Sequence, residues 1–297
     1  MRKHALILIT LALAGCGSSS SSAEEDLPPE PTADAALEVG SLATRPGDGE
    51  LLIGSTSGTY RLPKGAKAPT ELEPSLSAPG KGEGPLLDLV LRYTGPTTLL
   101  ASGHSKGGTL PLNVGLVSSP DDGKTWQAVS GIGEIDYHDL EIIDARNVLA
   151  LRTDDPNSVQ VSTDGGKTFE SRAAPAAAAT TDITVNPDNP KQWAAGTEQG
   201  TWVSSNEGNS WRQRDTTPKA RVSWAGPGKL YSAGLDGKIR LSADDGKTFN
   251  EVGGSIGSGP KDFLATPDGT LYAYLTGGKL RTSADGGKTW SDLASLR

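Results

Sequence analysis

The sequence predicts an all-β chain, a six-bladed β-propeller with four-stranded antiparallel blades, and three observations carry that expectation. An eight-residue pattern recurs five times, its leading serines lying 43, 42, 38 and 41 residues apart. Short strand-like runs divided by turn residues precede each recurrence. The stretch that holds them, residues 36–297, is too long for a minimal domain and fits one large repeat-built unit.

In chain order the octets are Ser119–Trp126, Ser162–Phe169, Ser204–Trp211, Ser242–Phe249 and Ser283–Trp290. Third in each stands Asp121, Asp164, Asn206, Asp244 or Asp285, whose side chain can accept hydrogen bonds from backbone N–H groups two or three residues on. Fifth is always a glycine, free to take a positive φ in a tight hairpin. The closing aromatics Trp126, Phe169, Trp211, Phe249 and Trp290 open the next strand and call for burial between neighbouring sheets. The octet resembles the Asp-box, or BNR repeat, of sialidases and sortilin-type receptors. That resemblance implies that each box joins the third and fourth strands of a blade on the face away from any ligand, so these ten residues are expected to be structural.

The remaining strands fall into place around the boxes. Trp193-Ala194-Ala195-Gly196 and Thr201-Trp202-Val203-Ser204 precede one box, and Leu271-Tyr272-Ala273-Tyr274 and Lys279-Leu280-Arg281-Thr282 precede another. First strands such as Asp182–Val185 and Asp262–Ala265 come before these. Four strands in roughly 40 residues make a propeller blade. A degenerate first blade is read from Leu42–Thr44, Leu51–Gly54 and Thr59–Leu62, with Pro63-Lys64-Gly65-Ala66 in place of the box. Six blades result, as expected of an array whose terminal repeat is atypical. How the ring closes is not written in the sequence.

The N-terminus addresses the compartment. Arg2, Lys3 and His4 precede an apolar run, Ala5 to Leu13, and then Leu13-Ala14-Gly15-Cys16. This is the pattern of a lipoprotein signal peptide over residues 1–15, with Cys16, the chain's one cysteine, as the lipidated residue. The alternative is an ordinary secretory signal with a chance cysteine. The apolar run is well below the roughly 20 residues of a membrane-spanning helix. Residues 16–35, rich in Ser, Pro and acidic groups, read as a flexible tether. The expected location is the extracytoplasmic face of a cell membrane, held by lipid. Removing residues 1–15 moves the formal net charge from −8 to −10, an acidic balance that argues against nucleic acid as a partner.

Any ligand site belongs on the face opposite the boxes. Aligned on their downstream turns, the six first strands place Ser41, Asp88, Asp139, Asp182, Arg221 and Asp262 at one equivalent position near the central channel. Two readings stay open: each aspartate fastens a neighbouring loop, or Asp88, Asp139, Asp182 and Asp262 form a carboxylate-lined cup that holds the candidate catalytic groups. His104, between the second and third strands of blade two, and His138, opening blade three, point to the same face. With Asp139 they form a candidate site for a divalent transition ion such as zinc, copper or manganese, and a poor one for calcium, which prefers oxygen alone.

Ser102-Gly103-His104, Tyr137-His138-Asp139-Leu140-Glu141 and Ser57-Gly58-Thr59-Tyr60-Arg61-Leu62 give the mature chain a closer resemblance, to bacterial lipoproteins labelled glycosyl hydrolase or exo-α-sialidase. Relatives of that type open blade one with His-x-His-Gly, where this chain has Glu38-Val39-Gly40-Ser41, leaving Glu38 as a partial substitute. Tyr60-Arg61-Leu62-Pro63 resembles the aromatic-Arg-Ile-Pro motif of sialidases, but it ends a third strand on the boxed side, so Arg61 faces the wrong way. Only Arg221 falls at an axial position, and no Tyr-Glu nucleophile pair can be assigned. No nucleophile elbow or phosphate loop is present. The leading expectation is therefore a binding or scaffolding propeller at the cell surface, with a protein or glycan as ligand. The alternatives are a sialidase-like glycoside hydrolase acting on extracellular glycans and a metal-binding propeller that uses the His104 and His138 face.

Overall fold

A computed structural model describes residues 40–175 and 179–296. The signal segment 1–15, Cys16, the tether 16–35 and Glu38 lie outside the described residues.

The chain is all-β and forms six antiparallel sheets in sequence order, the six blades of a propeller. Blade one runs Gly40–Thr44, Leu51–Ser55, Gly58–Leu62 and Thr70–Leu72. Blade two runs Gly82–Tyr93, Leu99–Ser105, Asn113–Ser119 and Gln127–Ser130. Blade three is Tyr137–Ile142, Val148–Arg152, Ser158–Ser162 and Glu170–Ala173, and blade four is Thr180–Val185, Trp193–Thr197, Gly200–Ser204 and Arg212–Asp215. Blade five is Arg221–Gly226, Lys229–Ala233, Lys238–Ser242 and Asn250–Ser255, and blade six is Asp262–Ala265, Leu271–Leu275, Lys279–Ser283 and Ser291–Ser295. Five sheets have four strands; blade two has a fifth, Ser75–Ala78, paired with the first half of its long opening strand. That added hairpin carries no box or periodic cue, and the sequence does not announce it.

Burial follows strand order. The second strands of blades one, four and six are buried at every residue, because a neighbouring blade covers each face. Arg212–Asp215, the outermost strand of blade four, is largely exposed, so its run of charged and polar residues is solvated. Strand alternation sends successive residues to opposite blades: Ala43 and Leu52 pack toward blade two, while Leu42, Leu51 and Ile53 pack toward blade six. The ring closes by this packing, with Leu42 and Ile53 against Tyr272 and Tyr274. Among the described residues no strand crosses from one end of the chain into the other end's blade.

The boxes are one hydrogen-bonded device repeated five times. In the first, the Ser119 hydroxyl accepts the Gly123 N–H at 2.7 Å and donates to Asp121 Oδ1 at 2.9 Å. Asp121 also accepts the Thr125 N–H and the Thr125 hydroxyl, each at 2.8 Å. The aspartates thus reach three and four residues on, rather than two or three, as the Lys167 and Thr168 N–H groups on Asp164 show. Two consecutive residues take left-handed backbone, Asp122 and Gly123 in the first box and Gly165 and Gly166 in the second. Asn206 works in the third because its amide oxygen accepts the Ser210 N–H at 2.9 Å, a bond that needs no charge. Of the closing aromatics only Trp126 is fully buried. Phe169, Trp211, Phe249 and Trp290 are half-buried at the blade rims, against the expectation of full burial for all five.

Candidate functional site

The first strands line the channel, and their side chains knit each blade to the next. Ser41 Oγ accepts the Leu91 N–H at 3.0 Å, and Asp139 Oδ2 accepts the Ile183 N–H at 2.9 Å. Asp182 Oδ2 accepts the Val222 N–H, and Asp262 Oδ2 accepts the Leu42 N–H at 2.6 Å. A second tier lies two residues on, where Glu141 accepts from Val185, Thr184 from Trp224 and Ser223 from Ala265. Wherever the axial residue carries an acceptor, it takes the N–H of the residue after the equivalent position in the next blade; Arg221 carries none and instead donates to the Thr181 carbonyl.

That rule corrects the alignment of blade two. Its axial residue is Val90, the residue before Leu91, and not Asp88. Valine offers no acceptor, so the Leu140 N–H turns to its own residue's neighbour, Asp139 Oδ1, at 2.8 Å. Arg92 fills the gap by donating to Ser41 Oγ and to Asp139 Oδ1 at 2.8 Å. A bulge between Leu87 and Val90 shifts the register by inserting residues that the strand pattern does not reveal.

Asp88 stands on that bulge with φ +57°. For a non-glycine residue such backbone costs about 1–2 kcal/mol. Gly103 makes room for the bulge, since a Cβ there would sit 2.5 Å from the Asp88 carbonyl oxygen. The result places Asp88 Oδ2 3.5 Å from His104 Nδ1. On the other side of the ring His104 Nε2 lies 3.7 Å from Asp136 Oδ1, while His138 Nε2 lies 2.8 Å from Asp136 Oδ2. The two imidazoles stand nearly perpendicular, with centroids 6.3 Å apart. Side-chain contacts with Asp136 and Asp88 push the His104 ring up to about 9, and Asp136 is held far below the usual carboxylate range by the two histidines in spite of its burial.

Asp139 is therefore not part of the histidine cluster, contrary to the sequence-based expectation. Strand alternation explains it: His138 is exposed while Tyr137 and Asp139 on either side are buried, Asp139 facing the channel. The carboxylate on the histidine's side is Asp136, two residues earlier. An i, i+2 count from His138 would have found it.

The mouth of the channel is a cavity of about 410 Å³ whose lining includes Arg92, His138, Asp139, Asp182, Arg221 and Asp262. Burial pushes the Asp139 and Asp182 carboxyls up, and the charge of Asp139 pushes Asp182 further, with Arg221 opposing the shift. A groove of about 800 Å³ on the same side separates blades one and two, lined by Glu71, Glu73, Glu83 and Lys106, with the unannounced hairpin as one wall. Leu112 and Leu235, 68% and 55% exposed, are the large apolar side chains left in solvent among the described residues. Both sit on loops joining second to third strands, on the open face. Arg61 faces the boxes, where it pairs with Glu50 and Asp122 beside Arg45.

No protein-family model matches the sequence, and no curated protein matches it. Among solved structures the chain is similar to PorZ of Porphyromonas gingivalis, described as an essential bacterial surface component of the type-IX secretion system, with a TM-score of 0.53 and 14% identity. That match covers 87% of this chain and 32% of PorZ, so this chain spans about a third of the larger protein. Ycf48 from Cyanidioschyzon merolae matches with a TM-score of 0.50 and 13% identity, over 88% of this chain and 86% of that one. Ycf48 bound to a D1 peptide matches with a TM-score of 0.48 and 14% identity, over 74% and 71%. The likeness is one of fold. It agrees with the six-bladed propeller described above, and the chemistry of the open face has to be argued from this chain's own residues.

Proposed function

We propose that this chain is a binding propeller of the extracytoplasmic surface, anchored by lipid at Cys16, that holds a protein or glycan ligand against the face opposite the boxes. The observation that carries this reading is the commitment of the axial carboxylates. Asp139, Asp182 and Asp262 each accept a backbone N–H from the next blade, and Asp139 also holds Arg92. Each of these carboxylates thus has an oxygen committed to the ring's own backbone, a structural duty that accounts for its place at the axis without any reaction. Leu112 and Leu235 stand exposed on loops of that face in blades two and five, and serve as reporters of what covers it. PorZ, a bacterial surface component, is a precedent for such a role. Photo-crosslinking in cells tests it, with a photoreactive residue at Leu112, at Leu235 or, as control, at Lys167 on the boxed face. Discrete adducts are expected from the two leucine positions and not from Lys167. Adducts from Lys167 alone would move the ligand to the other face.

Glycan hydrolysis is the second reading, favoured by one observation. Asp139 and Asp182 line the 410 Å³ mouth beside Arg92 and Arg221 with their carboxyls pushed up, the condition a general acid needs. A panel of fluorogenic glycosides, sialosides included, decides between the two. Turnover abolished by Asp182→Asn in folded protein would replace the binding reading with the hydrolytic one.

A further inference from the structure

The histidine cluster has no place in the blade-to-blade ladder. Asp136 Oδ2 is satisfied by His138 and by the Thr153 hydroxyl at 3.2 Å, yet Asp136 Oδ1 is buried with no hydrogen-bond partner. Asp88 Oδ1 is likewise buried and unpartnered. Buried carboxylate oxygens are ordinarily paired, so two orphans around one imidazole call for an explanation. Local backbone supplies a second sign. Blade two's second and third strands slip register between Ser102 and His104, and no other blade shows a shift between those strands. Together with the Leu87–Val90 bulge and the left-handed Asp88, this aims His104 and Asp88 at Asp136. Bulges of this kind redirect side chains near functional sites.

We propose that His104 Nε2, His138 Nε2 and Asp136 Oδ1 bind a divalent transition-metal ion, with Asp88 as the positioning residue that fixes the His104 ring through Nδ1. One donor atom from each of the three ligands lies within 4.8 Å of the others. Bonds of about 2.0–2.2 Å in a tetrahedral site put donors ~3.3–3.6 Å apart, so the spacing closes by about an ångström on binding. The His138 ring, 41% exposed, supplies that closure by giving up its Nε2 contact with Asp136 Oδ2 and the proton that contact holds, leaving Oδ2 to the Thr153 hydroxyl. Two imidazoles and one carboxylate select the zinc, copper and manganese class over calcium and magnesium. The contact from Asp88 to His104 Nδ1 is the carboxylate–histidine–metal arrangement, which sets the tautomer and leaves Nε2 as the ligand atom. Three protein donors leave a coordination position for water or for a donor of the bound ligand. His138 also lines the channel mouth, so the ion stands at the edge of the proposed binding face. The metal site does not depend on that reading of function.

Calorimetric titration of the full chain, stripped with a chelator, tests this with zinc, copper, manganese and calcium ions in turn. One transition ion per chain is expected to bind saturably, and calcium not at all. His138→Ala removes a half-exposed ring, so the fold survives while affinity drops at least tenfold. Asp88→Asn keeps a residue that tolerates the left-handed backbone, and weakens binding by about 10- to 100-fold, the range for a lost supporting carboxylate. The same variant shifts the visible absorption of the cobalt(II)-loaded protein, which a purely structural role for Asp88 would leave unchanged. Asp139→Asn retains the parent affinity in folded protein. Failure of the parent to bind any of the three transition ions, or undiminished binding by His138→Ala, overturns the proposal.

Discussion

The backbone N–H of Leu42 donates to Asp262 Oδ2 at 2.6 Å across 220 residues of sequence, joining the first blade to the last. Both residues are buried, so the bond is shielded from water. Asp262→Ala leaves that donor unpaired and is expected to cost about 1–3 kcal/mol. Asp262→Asn retains an acceptor and costs much less. Urea unfolding measures both, and equal midpoints for the two variants would show that the closing bond contributes nothing.

The boxes are expected to differ in weight. Trp126 is fully buried within the cluster between blades one and two, so Trp126→Ala should cost about 3–5 kcal/mol. Trp211 and Trp290 are half-buried, and their replacement by alanine should cost roughly half as much, in proportion to the area removed from water. Equal losses at all three positions in the same unfolding assay would contradict this account.

Mild acid is expected to stabilise the propeller. Burial pushes the Glu141 carboxyl up to about 7 from an ordinary 4.5, with Arg92 and the Val185 N–H only partly opposing it. A carboxyl raised in the folded state contributes stability that is present below about 4.5, declines as pH rises toward 7 and is absent above it. The raised Asp139 and Asp182 act in the same sense. Denaturation midpoints should therefore fall between pH 5 and pH 8. In Glu141→Gln, which keeps an acceptor for Val185, the fall should be shallower by the order of 1–3 kcal/mol. An unchanged slope would mean that Glu141 is ionised in the folded protein.

Anchoring is expected to rest on one atom. Cys16 is the only cysteine in the chain, so Cys16→Ser should abolish incorporation of a fatty-acid probe and leave the protein unprocessed or released from the membrane. Labelling of the serine variant would refute the lipoprotein reading.

The sequence by itself determined the blade and its number. Ser119, Asp121, Gly123 and Trp126 recur because the box is a local device, closed by hydrogen bonds that span at most four residues, and local chemistry repeats legibly. The sequence also placed His104 and His138 on one face, since each sits at a strand end whose direction the repeat sets. Only the tertiary structure decided which carboxylate joins them. The approach of Asp136 to His138 was within reach of an alternation count, but its approach to His104, and the departure of Asp88 from the axis that Val90 occupies, follow from the Leu87/Val90 bulge, which resets the register. A bulge forms where the next blade or strand leaves room, as Gly103 does for Asp88, and that room is a property of the packed ring. The role of the axial aspartates was undecidable for a related reason. Each bonds to a donor in the following blade, 40 or more residues away along the chain, and no local pattern records a partner that only ring closure brings near.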